Sequence, residues 1–454
     1  MHEIQHKGKS LLLDCGLFQG RRSEARERNC CFPFQASSID QVVLSHAHID
    51  HSGNLPNLVK QGFSGPIHAT DATQDLCRAM LLDSAHIQEK DAEFLMRRRT
   101  SRKRVLEQYD EPIVEPLYTS ADAEKTFPLF APLPMNGVLD IGNGLSVETV
   151  EAGHMLGSVC MRLSDGTTRL GFSGDIGRKN LPIIRDPQPM LPCDYLIMES
   201  TYGDRLHLDE GPVLDKLADV VNRTAARGGK IIVPSFAVGR TQQLVLLMNQ
   251  LMMAKRIPSI PIFVDSPLAV NVTDTFRKYS NLFDAETAAM LTGDADGDVF
   301  GFSRLRYIRD VADSKALNDL HGPFLVISAS GMCEAGRVIH HLKNSIADPR
   351  NTVLITGFQA QNTLGRKILD KWPEVPIFGE MIRLRAEVAK INELSGHADQ
   401  RELIAWMKPL VPGLKKVFLV HGEASAQDAF KKVVEATYGL EVVIPNHGDV
   451  HRLE

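Results

Sequence analysis

Ser45-His46-Ala47-His48-Ile49-Asp50-His51-Ser52-Gly53 directly follows the apolar run Val42-Val43-Leu44. The run reads as a buried strand, so the stretch forms the turn at its end. His46 and His48 stand at i and i+2. On extended chain that spacing puts both rings on one side, where they can share a metal ion. Asp50 and His51 fall where the chain begins to turn; they point elsewhere and can serve a second ion. Imidazole nitrogen and carboxylate oxygen are the donors of catalytic zinc. A polar loop with incidental histidines is the competing reading, but clustering so many titratable groups without a ligand is costly.

Working outward, 454 residues exceed one ordinary core, so two or more domains are expected. The composition, 43% hydrophobic and 24% charged, is that of a soluble globular protein. No apolar run reaches the length of a membrane span. The polar start Met1-His2-Glu3-Ile4-Gln5-His6 has no signal-peptide core, so a cytoplasmic location is expected. Seven scattered cysteines, an odd number without a CxxC, point to reduced thiols. A net charge of −5 argues against coating nucleic acid through bulk charge. It does not exclude nucleic acid as substrate, because a local basic groove and a metal site supply positive charge of their own.

Strands and helices alternate from the start. Ser10-Leu11-Leu12-Leu13 ends at Asp14, Asn54-Leu55-Pro56-Asn57-Leu58-Val59-Lys60 reads as a short helix, and Pro66-Ile67-His68-Ala69-Thr70 reads as a strand. Long helices are expected from about 70 to 110. They include the basic run Arg97-Arg98-Arg99-Thr100-Ser101-Arg102-Lys103-Arg104, read as a solvated helix end or, functionally, a phosphate contact. Short strands return after Val138. Leu170-Gly171-Phe172 runs into Ser173-Gly174-Asp175, and Tyr195-Leu196-Ile197-Met198 into Glu199. Each time an apolar strand carries a functional group at its C-terminal end, where α/β sheets gather their sites. After Gly203 a β-α-β-α rhythm suggests a second, parallel-sheet domain. Within it, 284–319 is weakly patterned and expected to be irregular helix and loop. The tail returns to the first style, with a strand at 386–391 leading to His397 and a strand Lys416–Val420 leading to His421.

The groups at strand ends are therefore Asp14, His46, His48, Asp50, His51, His154, Asp175, Glu199, His397 and His421. A dinuclear zinc site needs about this set. One ion takes His46, His48 and His154, the other Asp50, His51 and His421, and Asp175 bridges them with its two oxygens. Two close metals lower the pKa of a shared water and stabilise both the attacking and the leaving oxygen of an in-line displacement.

This pattern of HxHxDH, a later lone His, an Asp in a Ser-Gly-Asp turn and a C-terminal His resembles the metallo-β-lactamase motif set. With the long insertion, Glu199, His397 and His421 it is similar to the β-CASP subgroup of nucleic-acid-processing enzymes, which includes the cleavage and polyadenylation endonuclease subunit. The resemblance implies an αββα sandwich over 1–205 and 383–454, with an inserted parallel-sheet α/β domain at 206–382. It implies a two-Zn²⁺ ribonuclease that cleaves single-stranded RNA, with a metal-activated hydroxide as nucleophile. Asp14 takes the place of the acid that supports the ligand histidines from behind. His397 takes the place of the general acid for the leaving 3′ oxygen, oriented by the carboxylate at Glu199. Asp50 and Asp175 belong to the catalytic set as well as to the ligands. Relatives begin with a strand ahead of the first acidic motif; this chain starts almost at the next one, so the first strand is expected to be missing and a sheet edge unpaired.

Three strand-to-helix loops of the insertion suit phosphate: 234–240 with Arg240, 328–332 with Ser330, and 357–366 with Arg366. In the last, Asn362 stands where similar loops carry Gly. Rival readings are a DNA nuclease, a small-molecule metallo-hydrolase and an inactive RNA-processing scaffold. The inserted domain speaks against the second and the complete ligand set against the third. A homodimer and the choice between internal and end-directed cutting are left open.

Overall fold

The computed structural model describes residues 1–18, 22–103, 115–207, 211–293, 297–391 and 393–454, with the side chains of 22–25 and 97–103 outside the description. The basic run at 97–104 therefore lies outside the described side chains. The chain divides into two compact units. One comprises Met1–Gly177, Pro187–Asp204 and Gln400–Glu454; the other comprises Arg178–Asp186 and Arg205–Asp399.

The first unit contains two sheets. The five-stranded sheet runs in the order His2–His6, Lys9–Leu13, Gln41–Val43, Ile67–Ala69, Phe130–Pro132. Its first pair is antiparallel and the others are parallel. Lys9–Leu13 is thus paired on both sides. The unpaired edge expected at that strand is not there, because His2–His6 fills it. Its alternating His-Glu-Ile-Gln-His, exposed on one face, carries too little apolar signal to be read as a strand. The seven-stranded sheet has the order Glu441–Val443, Lys416–Val420, Tyr195–Glu199, Arg169–Phe172, Val159–Ser164, Ser146–Glu151, Val138–Asp140. The first four strands are parallel and the rest antiparallel.

The sheets pack face to face. Leu11, Leu13 and Val43 of one meet Val147, Met161, Phe172, Ile197 and Phe418 of the other in a single cluster. Successive strand residues point to opposite faces, so Leu12 and Val42 look the other way. They too are fully buried, so the outer face is covered as well. On the far side the helix Ala424–Tyr438 packs on Lys416–Val420 and Glu441–Val443. Tyr195–Glu199 is buried along its whole length, as a central strand covered on both faces must be.

The second unit is built on six parallel strands in the order Leu305–Ile308, Ile262–Asp265, Phe324–Ser328, Lys230–Pro234, Thr352–Ile355, Glu387–Lys390. The three strands Ile262–Asp265, Phe324–Ser328 and Thr352–Ile355 are buried at every position. Two expectations change here. Glu387–Lys390, assigned to the returning part of the first domain, is the edge strand of this sheet, paired with Thr352–Ile355. The segment 284–319, expected to be helix and loop, holds the helices Ala285–Gly293 and Val311–Asp319 and also an unexpected strand, Leu305–Ile308. That strand lies at the opposite edge, half-buried with Arg306 outward, and so lacks an apolar run. Because all six strands are parallel, their C-terminal ends share one edge.

Candidate metal centre

Every ligand candidate of the first unit follows a strand end. Asp14 comes after Lys9–Leu13 in a left-handed conformation, φ 58°, which Asp tolerates better than most side chains. Its carboxylate then holds the neighbouring loop. Oδ1 accepts Ser45 N–H at 2.7 Å, while Oδ2 accepts Ser45 Oγ and His51 Nδ1, each at 2.7 Å. Asp14 thus sits behind His51, as expected of a supporting carboxylate. Two glycines let the ligand loops lie against one another. A Cβ on Gly16 would stand 1.5 Å from the Asp50 carbonyl oxygen, and one on Gly177 would stand 1.7 Å from that of Gly153.

The donors form two groups. His46 Nε2 and His154 Nε2 lie 3.1 and 3.0 Å from His48 Nδ1. Asp175 Oδ2 faces His46 and His154 at 3.5 and 3.4 Å. Asp175 Oδ1 faces the other group, 3.2 Å from His51 Nε2 and 3.5 Å from His421 Nε2. Asp50 Oδ2 lies 3.9 Å from His421 Nε2. Within each set, His46-His48-His154-Asp175 and Asp50-His51-His421, the donor atoms are within 4.8 Å of one another.

Metal fits these residues. His48 Nδ1 faces two ring nitrogens at hydrogen-bond distance, a convergence of three imidazole nitrogens that a shared cation satisfies more fully than one or two protons can. The buried His51 Nε2 has no well-directed hydrogen bond, its near neighbour being Asp175 Oδ1 at 3.2 Å. A tetrahedral ion about 2.0–2.1 Å from each nitrogen spaces its donors about 3.3 Å apart, close to the separations seen.

Electrostatics prepares the ligand forms. Burial, with His51 beside it, holds His46 well below the usual imidazole value, so it is neutral. Burial raises Asp175, but His421 and His51 outweigh it and hold the carboxyl well below its usual range. Burial lowers His51, yet Asp175 and Asp14 together lift it well above the ordinary value. That proton is the one a cation would displace.

Two strand ends fix the remaining ligand candidates. Glu199, fully buried, closes Tyr195–Glu199. Its carboxylate accepts the Ile176 N–H and its own N–H donates to Ser173 Oγ at 3.0 Å. Glu199 therefore clamps the turn that carries Asp175, a contact the motif pattern did not indicate. His421 follows Lys416–Val420 at φ 48°. Its carbonyl accepts Ser200 N–H and Thr201 Oγ1, both at 3.1 Å. Sequence reasoning passed over Ser45 and Ser173. Their signal is a hydroxyl at the end of a buried strand, next to or near a ligand.

The other candidates lie in the second unit. His397 is in the loop after Glu387–Lys390, where its carbonyl accepts His207 Nε2 at 2.9 Å. Ser330 Oγ accepts the amides of Glu334 and Ala335 at 3.2 and 3.3 Å. Arg240 Nη1 donates to the Thr356 carbonyl at 2.9 Å. Arg366 Nε meets both Asp370 oxygens, at 3.0 and 2.9 Å. Asn362 adopts φ 68°, a left-handed conformation that Asn reaches more readily than most side chains.

Three stretches match known family models: the metallo-beta-lactamase superfamily over 3–214, the Beta-Casp domain over 241–368, and a Zn-dependent metallo-hydrolase RNA specificity domain over 381–445. The chain is 34% identical to Ribonuclease TTHA0252 of Thermus thermophilus, over 99% of this chain and 95% of that one. It is 27% identical to Transcription termination factor FttA of Methanocaldococcus jannaschii, over 99% of this chain and 69% of that protein. A solved protein of unknown function from Enterococcus faecalis V583 shares the fold, with a TM-score of 0.51 at 14% identity over 98% of this chain and 95% of that one. The insertion, the returning C-terminal segment and the paired ligand groups all follow one plan, and the chain belongs to the β-CASP group of the metallo-β-lactamase superfamily.

Proposed function

We propose that this chain is a two-zinc phosphodiesterase that cleaves single-stranded RNA. The observation that carries the reading is Asp175, whose two oxygens each face one group of histidines. Similarity to a ribonuclease along nearly the whole chain supports RNA as the substrate. Zinc would be held by His46, His48 and His154 on one side of Asp175 and by Asp50, His51 and His421 on the other, and when bound it supplies an activated water and positive charge against the phosphate.

The chain's own residues do the rest. Asp175, buried and anionic, sets the spacing of the two groups. Asp14 keeps a proton on His51 Nδ1 and so leaves Nε2 as the nitrogen that would face a cation. Glu199 holds the Asp175 turn. His397 delivers a proton to the leaving 3′ oxygen. Ser330, Arg240 and Arg366 meet backbone phosphates of the bound strand. The substrate suits a cytoplasmic enzyme.

The test compares His397→Ala with Asp175→Ala. The first keeps zinc, measured by metal analysis, and loses cleavage of labelled single-stranded RNA; the second loses both. Wild-type cleavage rates in both variants would overturn the reading.

A further inference from the structure

Two large aromatic side chains of the second unit stand in water. Phe236 is 45% and Phe358 is 40% exposed, although phenyl rings gain much from burial. Both lie just past the C-terminal ends of neighbouring strands. Phe236 follows Lys230–Pro234 and Phe358 follows Thr352–Ile355, and these strands pair in parallel register, Ile231 with Thr352 and Ile232 with Val353. On one side the next strand is Glu387–Lys390, whose following loop carries His397. On the other it is Phe324–Ser328, whose loop carries Ser330 and Gly331. Strand order therefore places Phe236, Phe358 and His397 on successive loops of one edge, with strands about 4.8 Å apart.

The rings have built supports. A Cβ on Gly331 would stand 3.0 Å from two carbons of the Phe236 ring, so the ring rests against backbone that only Gly leaves bare. The Phe358 loop is pinned by its next residue: Gln359 is buried and donates Nε2 to the Gly331 carbonyl at 2.9 Å. Arg240 starts the helix after the Phe236 loop and reaches the Thr356 carbonyl, so a guanidinium joins the two aromatic loops. Open ring faces beside a fixed cation suit a polyanion that carries flat bases, and stacking accepts any base.

We propose that Phe236 and Phe358 are stacking platforms for bases of a single RNA strand that runs along this edge from His397, with Arg240 placed for an intervening phosphate. The proposal rests on the ribonuclease reading and names where the substrate's bases go.

The test is equilibrium binding, by fluorescence anisotropy, of a labelled oligoadenylate and of the abasic strand of equal length. The full chain carries His397→Ala so that the RNA stays intact, and wild-type cleavage is recorded separately. Phe236→Ala and Phe358→Ala should each weaken oligoadenylate binding about tenfold. Phe358→Trp should restore it, and abasic binding should not change. Unchanged oligoadenylate affinity overturns the proposal, as does an equal loss on the abasic strand, which would make the rings supports of the loop. Loss of self-association with RNA binding intact would assign them to a protein interface and overturn it too. Ring-dependent binding in a chain whose wild type never cuts RNA would sink the nuclease reading and leave the platforms standing. Cleavage without ring dependence would do the reverse.

Discussion

Asp14 Oδ2 accepts a hydrogen bond from His51 Nδ1 at 2.7 Å across 37 residues of sequence. This contact decides which nitrogen of His51 keeps its proton. When a cation displaces the second ring proton, Nδ1 keeps its own, and Nε2, 3.2 Å from Asp175, is the nitrogen left to act as donor.

Asp14→Asn should therefore disturb the metal centre without unfolding it. Asn keeps the left-handed backbone accessible but replaces one oxygen by NH₂. That group facing His51 would move the ring proton to Nε2. The expected loss is about 10–100-fold in zinc affinity, read by competition with a chelator, with far-ultraviolet circular dichroism unchanged. Wild-type zinc affinity in the variant would contradict the assignment.

Gly177→Ala probes the close approach of two ligand-bearing loops. The new methyl would stand 1.7 Å from the Gly153 carbonyl oxygen, so backbone beside His154 and Asp175 must move. Overpacking of this kind costs about 3 kcal/mol. The urea midpoint should fall and the bound zinc with it. Full zinc occupancy at unchanged stability would show that the loops have slack the geometry denies.

Asp265 offers a pH signature away from the metal. Fully buried, it accepts His341 Nε2 and Ser314 Oγ at 2.6 Å and Arg337 Nη1 at 2.7 Å. Burial raises its carboxyl, but these partners outweigh it, and the folded value lies below the ordinary one. A depressed folded value means the ionised form favours folding. Its contribution is complete above the unfolded pKa of about 3.9 and fades as pH falls through the lower folded value. Asp265→Asn should cost about 3–5 kcal/mol at neutral pH, and the gap to wild type should narrow on acidification toward pH ~3. A gap that is constant with pH would remove the carboxylate from the account.

The candidate ligands were legible because a metal site has a local vocabulary: His46, His48, Asp50 and His51 sit close together in sequence, and apolar runs point at His154, Asp175 and His421. What stayed hidden was carried by distant partners. His2–His6 and Leu305–Ile308 are edge strands, so only part of each is buried and their alternation is faint. Glu387–Lys390 looked like a strand and is one, yet nothing in those four residues says which sheet they join. The partner, Thr352–Ile355, decides that. Glu199 was read as a carboxylate for His397, and its hold on the Ile176 amide could not be seen before the two strand ends were side by side.

The seven-stranded sheet pairs Tyr195–Glu199 with Lys416–Val420, and the bond from Ser200 Oγ to the Val420 carbonyl closes a gap of 220 residues. Synthesis runs from the N-terminus, so the ribosome releases His46, His48, Asp50, His51, His154 and Asp175 long before His421. During that interval the nascent protein carries most of its ligands but not the strand that holds the last one. The His421 side of the site therefore cannot form until that last strand has paired with Tyr195–Glu199. Pairings this remote also close slowly, so this side of the site is the late one to assemble.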